Sequence, residues 1–250
     1  MLITGVSEGT LITRIATGNS ISVPCADGIR GFKQGTSVQD VLVLLPRLRN
    51  IVRVSIGTDR VLGLTKEGEV YAWGNGQQSQ LGRRISERRR LTGLNPRQVS
   101  LPRCKGMYVA TGSYHSFAMT RDGRVWAWGL NQHGQCGIYE PPRGGTGYTV
   151  IPVPTIVQSL AGYTIVQISA GEHRSTALAE NGELLVGGRL DSGQLGIDPV
   201  ALSADDCVRD ARGNPCYLRT PHAVPGIRFS TIGCGTDHNI AVSMEGQAYS

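Results

Sequence analysis

Four polar side chains share one position, two residues after a glycine, in four similar segments: Asp59, Tyr114, His173 and Asp237. Carboxylate, phenol and imidazole groups form hydrogen bonds, and two of the three can pair with charges on a partner molecule. In loops such side chains also commonly cap strands or bond backbone amides, so a structural interpretation stands beside the binding one. These residue types therefore indicate noncovalent recognition.

The residue that follows each of these side chains is an arginine or a histidine. This set comprises Arg60, His115, Arg174 and His238. Because the set recurs as part of a repeated pattern, we expect a structural role for it.

Other chemistries find little support. Residues 74–82 are glycine-rich but lack the Gly-Lys-Ser/Thr ending of a phosphate-binding loop. Asp205, Asp206 and Asp210 lack the spacing of a calcium loop, and the neighbours His115 and Ser116 would point to opposite faces of a strand rather than form a triad. The six cysteines have no zinc-knuckle spacing and are predicted to be reduced, structural thiols. We expect no cofactor, no metal and no small-molecule substrate.

Composition limits the fold and the compartment. The chain has 250 residues, of which 34 are glycine and only 18% are charged, which argues against a helical bundle. The longest apolar run, residues 41–45, is far shorter than the roughly 20 residues of a membrane span, and the first residues do not resemble a secretory leader. These features predict a soluble protein of the cytosol or nucleus. The net charge of +6 is too small to specify a partner.

One block recurs along the chain. It spans residues 57–82, 112–137 and 171–196 without a gap, and a fourth, incomplete copy spans 235–250. Each complete copy places glycines and a glutamine at the same offsets, with Trp73 and Trp128 replaced by Gly187 in the third. The connections between copies differ in length, which is typical of surface loops between repeated structural units.

Each block reads as antiparallel strands. Short runs of β-branched and aromatic residues are bounded by glycine, and Gly68, Gly123, Gly182 and Gly246 lie where a tight hairpin needs a positive φ. Several short strands in each long repeat predict an all-β β-propeller, with Trp73 and Trp128 in the core between blades.

Residues 68–82 and 123–137 resemble the repeat of the regulator of chromosome condensation family. The resemblance covers roughly residues 26–250 and implies a seven-bladed propeller, of which this chain would hold about four blades and so be a fragment. Residues 25–250 would form the incomplete propeller, whereas residues 1–24 depart from the family and are left unassigned. An open arc of blades is expected to be poorly stable or to self-associate.

Narrower features resemble the family's fungal exchange factors for the small GTPase Ran. They are residues 74–84, the closing residues 235–250, and a segment similar to the family's projecting β-wedge, which comprises Ala26, Asp27, Gly28, Ile29, Arg30 and Gly31. The resemblance implies guanine-nucleotide exchange on Ran, without covalent chemistry, in a nuclear, chromatin-associated protein.

The same resemblance implies site residues. Asp59 matches an acidic residue, His173 a histidine and Arg83 an arginine that the family's exchange factors use, and Tyr114 and Asp237 share the loop position. A basic run from Arg83 to Lys105 includes Arg88, Arg89 and Arg90. This run is either a solvated loop or a contact with nucleosomal DNA or an acidic histone surface, as the family's association with chromatin implies.

Two alternatives remain open. The propeller could be an adaptor or interaction domain of a ubiquitin ligase or of a regulator of another GTPase, since one scaffold serves several functions. It could also be a propeller enzyme or lectin whose active site lies elsewhere.

Overall fold

The computed structural model describes residues 16–17, 21–25, 28–32, 43–44, 48–85, 92–102, 104–139 and 149–250, with the backbone alone before residue 48. Its strands form antiparallel sheets, four of them four-stranded, in a β-propeller arrangement. The predicted all-β fold with about four propeller blades is confirmed.

The first sheet contains β1 (Ala16–Thr17), β2 (Ile21–Cys25), β3 (Gly28–Phe32) and β4 (Val43–Leu44), in that order. Two of these strands lie in or overlap the stretch that the sequence pattern left unassigned. The sheet therefore begins before residue 25.

The three complete repeat blocks each contribute to one further four-stranded sheet. The second sheet contains β5 (Ile51–Ile56), β6 (Arg60–Thr65), β7 (Val70–Gly74) and β8 (Arg97–Gln98). The third contains β9 (Gly106–Thr111), β10 (His115–Thr120), β11 (Val125–Leu130) and β12 (Val150–Ile156). The fourth contains β13 (Ile165–Ala170), β14 (Arg174–Ala179), β15 (Leu184–Gly188) and, after an inserted hairpin, β18 (His222–Ala223).

The inserted hairpin pairs β16 (Cys207–Arg209) with β17 (Pro215–Leu218). The sequence pattern indicated only a surface loop for this connection between repeat copies, so the hairpin was not predicted. The three-stranded fifth sheet contains β19 (Phe229–Cys234), β20 (Asn239–Ser243) and β21 (Ala248–Tyr249). A short 3-10 turn, Gln158–Leu160, follows β12.

The core lies between the sheets. All six residues of β6 and of β10 are buried, because each of these middle strands has a neighbouring strand on both sides and a neighbouring sheet against its face. One apolar cluster joins the second, third and fourth sheets, and another joins the fourth and fifth. Trp128 is completely buried and donates from Nε1 to the backbone oxygen of Gln80 at 3.0 Å, so its predicted place between blades is confirmed.

The predicted hairpin glycines are confirmed as well. Gly68, Gly123, Gly182 and Gly246 have φ between 81° and 83°. This is the left-handed region, where a side chain would be strained.

Candidate functional site

The loops between the first and second strands of the last four sheets lie along one face of the molecule. We call this the loop face, and it comprises residues 57–59, 112–114, 171–173 and 235–238. The amide of Ser113 donates to the oxygen of Gly171 at 2.9 Å, and the amide of Glu172 donates to the oxygen of Thr236 at 3.1 Å. The loop tips of the third, fourth and fifth sheets are therefore bonded to one another.

Arginine side chains continue this chain of bonds between blades. Arg60 begins β6 and donates to the backbone oxygens of Gly112, Ser113 and His115 in the next blade. Its Nε also donates to Ser116 Oγ at 3.0 Å. Arg174, at the equivalent position in the fourth sheet, donates to Thr236, Gly235 and Asn239 of the fifth.

His115 also links its blade to the next one, through one ring nitrogen. Its Nε2 lies 2.7 Å from Ser175 Oγ in the next blade, and the Ser175 hydroxyl donates to the oxygen of Gln135. Because that hydroxyl proton is already used, Nε2 is the donor to Ser175, and the imidazole is neutral with its proton on Nε2. Burial, and then the charge of Arg60, lower the pKa of His115 to about 3.

These contacts confirm the structural role predicted for Arg60, His115 and Arg174. Each is 2% exposed or less. Burial also lowers the pKa of Arg60, to about 9. His238, the last member of the set, is exposed.

The four predicted site residues one position earlier point the other way. Asp59 and Asp237 are exposed, and Tyr114 and His173 are half-buried. In three of them the end of the third strand of the same sheet holds the backbone. The amides of Asn75, Leu130 and Arg189 donate at 2.8–2.9 Å to the oxygens of Asp59, Tyr114 and His173. The structure thus brings the four predicted tips onto one face, with the side chains at the surface.

The glycine of each Trp-Gly or Gly-Gly pair allows the third strand to approach the loop tip closely enough for these hydrogen bonds. Gly74, Gly129 and Gly188 have φ between 107° and 115°. A Cβ on any of them would overlap the backbone oxygen of Asp59, Tyr114 or His173 respectively. The glycine is therefore required where the third strand passes the loop tip.

His173 lies among several charged groups. Its Nε2 is 3.6 Å from Glu172 Oε1, and Arg189 and Asp237 are close enough to affect its charge. Burial lowers its pKa, against the opposing influence of Glu172. The ring of His133, which the sequence pattern did not single out, lies against it.

Arg83 lies farther from the tips. It is half-buried, and its Nη1 donates to the oxygen of Ala72 in β7 at 3.1 Å. Burial and then the charge of Arg97 lower its pKa. Its Nη2 is buried without a hydrogen-bond partner within the described part of the chain.

The wedge and the basic run are described only in part. Gly28, Ile29, Arg30 and Gly31 lie in β3, which pairs with β2 and β4. Ala26, Asp27, Arg88, Arg89 and Arg90 lie outside the described residues.

The described residues lack two further kinds of feature. No cluster of three or more histidine, cysteine, aspartate or glutamate side chains there could hold a metal ion. No helix there has the length and apolar character to cross a membrane.

The chain is similar to a known protein family and to named relatives. A model of the RCC1-like domain matches residues 6–250. Protein pim1 of Schizosaccharomyces pombe is 45% identical over 230 residues, which cover 90% of this chain and 41% of pim1. Guanine nucleotide exchange factor SRM1 of Saccharomyces cerevisiae is 38% identical over 230 residues, covering 90% of this chain and 46% of SRM1. The chain thus spans less than half the length of these two relatives.

A solved structure shows the same fold. The crystal structure of Prp20p from Saccharomyces cerevisiae superposes with a TM-score of 0.85 at 32% identity, over 96% of this chain and 58% of Prp20p. That structure was described together with the binding properties of Prp20p to Gsp1p and histones.

Proposed function

The chain belongs to the family defined by the RCC1-like domain, and from that membership we propose that it acts as a guanine-nucleotide exchange factor for the small GTPase Ran. The relative SRM1 is named a guanine nucleotide exchange factor. The observation that carries the proposal is the loop face. Three of its tips are joined by backbone bonds and the first is joined to the second through Arg60, and Asp59, Tyr114, His173 and Asp237 lie on this face.

The proposed activity requires no covalent step. A protein that binds the nucleotide-free GTPase more tightly than the loaded one lowers the GTPase's nucleotide affinity by the same factor, because coupling between two ligands is reciprocal. Each tenfold loss of nucleotide affinity needs about 1.4 kcal/mol of differential contact. A large acceleration must therefore be spread over several side chains.

The loop face offers such contacts. The exposed carboxylates of Asp59 and Asp237 suit lysines of the GTPase, and the His173 imidazole can donate or accept a hydrogen bond. In this proposal these groups draw GTPase loops away from the nucleotide phosphates. The wedge around Asp27–Gly31 disturbs the phosphate loop and its magnesium ion, and Arg83 supports the same docked complex.

The experiment is release of a fluorescent GDP analogue from Ran by the intact protein. Asp59→Ala and His173→Ala are each expected to slow release about tenfold, the loss of one contact worth about 1.4 kcal/mol. Both variants should keep the melting temperature of the wild type, because neither side chain is part of the core.

Glu180→Ala is the matched control. Glu180 is an exposed carboxylate at the hairpin between β14 and β15, at the opposite end of a blade from the loop tips. Its removal should leave the rate unchanged. If both Asp59→Ala and His173→Ala release GDP at the wild-type rate, the assignment of the site is wrong. If the wild-type protein does not accelerate GDP release, the alternative function as an adaptor is favoured.

Nuclear, chromatin-associated localisation extends the proposal. The basic run contributes Arg88, Arg89 and Arg90 to a contact with nucleosomal DNA or histones, in line with the histone binding described for Prp20p. Such a contact weakens steeply with salt, so the measurement is nucleosome binding as a function of ionic strength.

A further inference from the structure

Three aromatic rings from two blades meet beside the loop face. His133 follows β11 in the third sheet, and His173 lies between β13 and β14 in the fourth. Their ring centroids are 4.7 Å apart with an angle of 50° between the planes. Tyr217 of β17 presents its ring to His133 at 6.0 Å and 89°, an edge-to-face contact.

Backbone bonds hold the two supporting rings in place. The amide of His133 donates to Gln135 Oε1 at 2.8 Å. Tyr217 pairs with Val208 in the inserted hairpin and forms a bridge with Arg189, directly after β15. The inserted hairpin therefore supports the ring of His133 from behind.

Hydrogen bonding does little to fix the two imidazoles. The Nδ1 atoms of His133 and His173 are both buried without a hydrogen-bond partner among the described residues. Apart from the Glu172 carboxylate near His173 Nε2, ring-to-ring contact is therefore what orients the two imidazoles among the described residues. A His173 ring without this support would be free to rotate about its side-chain bonds.

Burial, with the neighbouring charges, keeps His133 neutral at neutral pH. Burial, then the charges of His173 and Arg189, lower the pKa of His133 to about 4, against the attraction of Asp191. Glu172, Arg174, Arg189 and Asp237 are the charged groups that affect His173. Arg189 is itself held by Asp191, with Nη2 donating to Oδ2 at 2.7 Å.

We propose that His133 is a positioning residue: its ring, backed by Tyr217, holds the His173 imidazole in the orientation that docks the GTPase. The inference rests on the proposed exchange function, because it deepens the role of His173 in that function. His133 acts through His173 and needs no contact with the GTPase.

A double-mutant cycle on release of the GDP analogue from Ran tests this directly. His133→Ala is expected to slow release about fivefold, within the range of coupling measured between residues in contact. His133→Phe keeps the ring and should stay within about twofold of the wild type. The double variant with His173→Ala should be no slower than His173→Ala alone, because the positioned group is already gone. The proposal would be overturned if the double variant were slower than His173→Ala by the full factor seen for His133→Ala. It would also be overturned if His133→Phe were as slow as His133→Ala.

His222→Ala is the control, since His222 is a part-buried histidine of β18 that faces Asp206 at 4.0 Å. It should release GDP at the wild-type rate.

A second measurement needs no GTPase. Titration of the His173 ring by NMR in the intact protein should show its pKa rising towards the ordinary value in His133→Ala, because the ring loses its cover, and staying low in His133→Phe. If wild-type protein fails to accelerate GDP release but the titrations follow this pattern, the exchange function fails while the ring support stands. An unchanged His173 titration in His133→Ala would refute the ring support itself, whatever the exchange rates.

Discussion

Asp59 and Arg60 are consecutive residues with opposite surroundings. Asp59 is exposed at a loop tip, whereas Arg60, 2% exposed, reaches into the next blade and donates to three of its backbone oxygens. A weaker form of this contrast separates the half-buried His173 from Arg174, which donates into the fifth sheet. A single step along the chain thus changes a surface group into a link between blades.

The reason for the contrast is where the strand begins. Arg60 is the first residue of β6, a strand whose residues are all buried, and a polar group there must find hydrogen-bond partners inside the molecule. The partners are the carbonyl oxygens of Gly112 and Ser113 in the loop of the neighbouring blade and of His115, the first residue of β10. The site residues are therefore carried on loops that the links themselves hold in position.

The largest expected effect comes from breaking a link. Arg60→Leu should lower the free energy of unfolding by about 3 kcal/mol, because it removes charged hydrogen bonds and leaves buried carbonyl oxygens without them. Urea unfolding of the intact protein measures the loss. Asp59→Leu, one residue earlier, should stay within about 0.5 kcal/mol of the wild type. Equal losses in the two variants would abolish the distinction between tip and link.

An intermediate effect should appear on acidification through His115. The folded protein holds this imidazole neutral, with a pKa of about 3, whereas the unfolded chain takes up a proton near the ordinary value of 6.5. The stability that depends on neutral His115 is therefore complete above pH 6.5 and is lost as the pH falls from there towards 3. Between pH 8 and pH 5 the loss is about 2 kcal/mol.

The control for this pH dependence is His115→Gln, which keeps a hydrogen-bonding group towards Ser175 but does not titrate. Its free energy of unfolding should vary less between pH 8 and pH 5, and the slope that remains belongs to groups such as His133. A variant as acid-sensitive as the wild type would contradict the neutral, buried assignment of His115.

The smallest expected effect concerns the acceptor of that link. Ser175→Ala removes two hydrogen bonds, the one from His115 Nε2 and the one to the Gln135 oxygen, and should cost about 1.5 kcal/mol, since each is worth roughly 0.5–1.5 kcal/mol net. Thermal or urea unfolding gives the value, and Ser192→Ala, a serine on the exposed turn after β15, is the comparison. A loss as large as that of Arg60→Leu would show that the histidine link is as strong as the arginine link.

Much of the blade pattern could be predicted from the sequence. The block spacing and the hairpin glycines correctly predicted the hairpins between the second and third strands of four sheets, since both are local properties of the chain, whereas β8, β12 and β18 lie outside the blocks. The same spacing placed Asp59, Tyr114, His173 and Asp237 on one face, because equivalent loops of a propeller share an end.

Contacts between blades could not be predicted in the same way. His133 and His173 come from different blocks, and nothing in their spacing shows that the rings meet. The inserted hairpin β16–β17 lies in a connection whose length varies between repeats, so no repeat pattern covers it. Arg83 shares the block spacing but its guanidinium lies against β7, a direction that depends on side-chain packing.

The backbone bonds from Ser113 to Gly171 and from Glu172 to Thr236 have a consequence for how binding energy is used. Loop tips that are hydrogen-bonded to their neighbours lose little conformational entropy when a partner binds. The loop face is therefore preorganised for binding. When two proteins bind, the less rigid partner undergoes the larger conformational change. In the proposed complex that protein is the GTPase, and its distortion around the nucleotide would be the step that promotes nucleotide release.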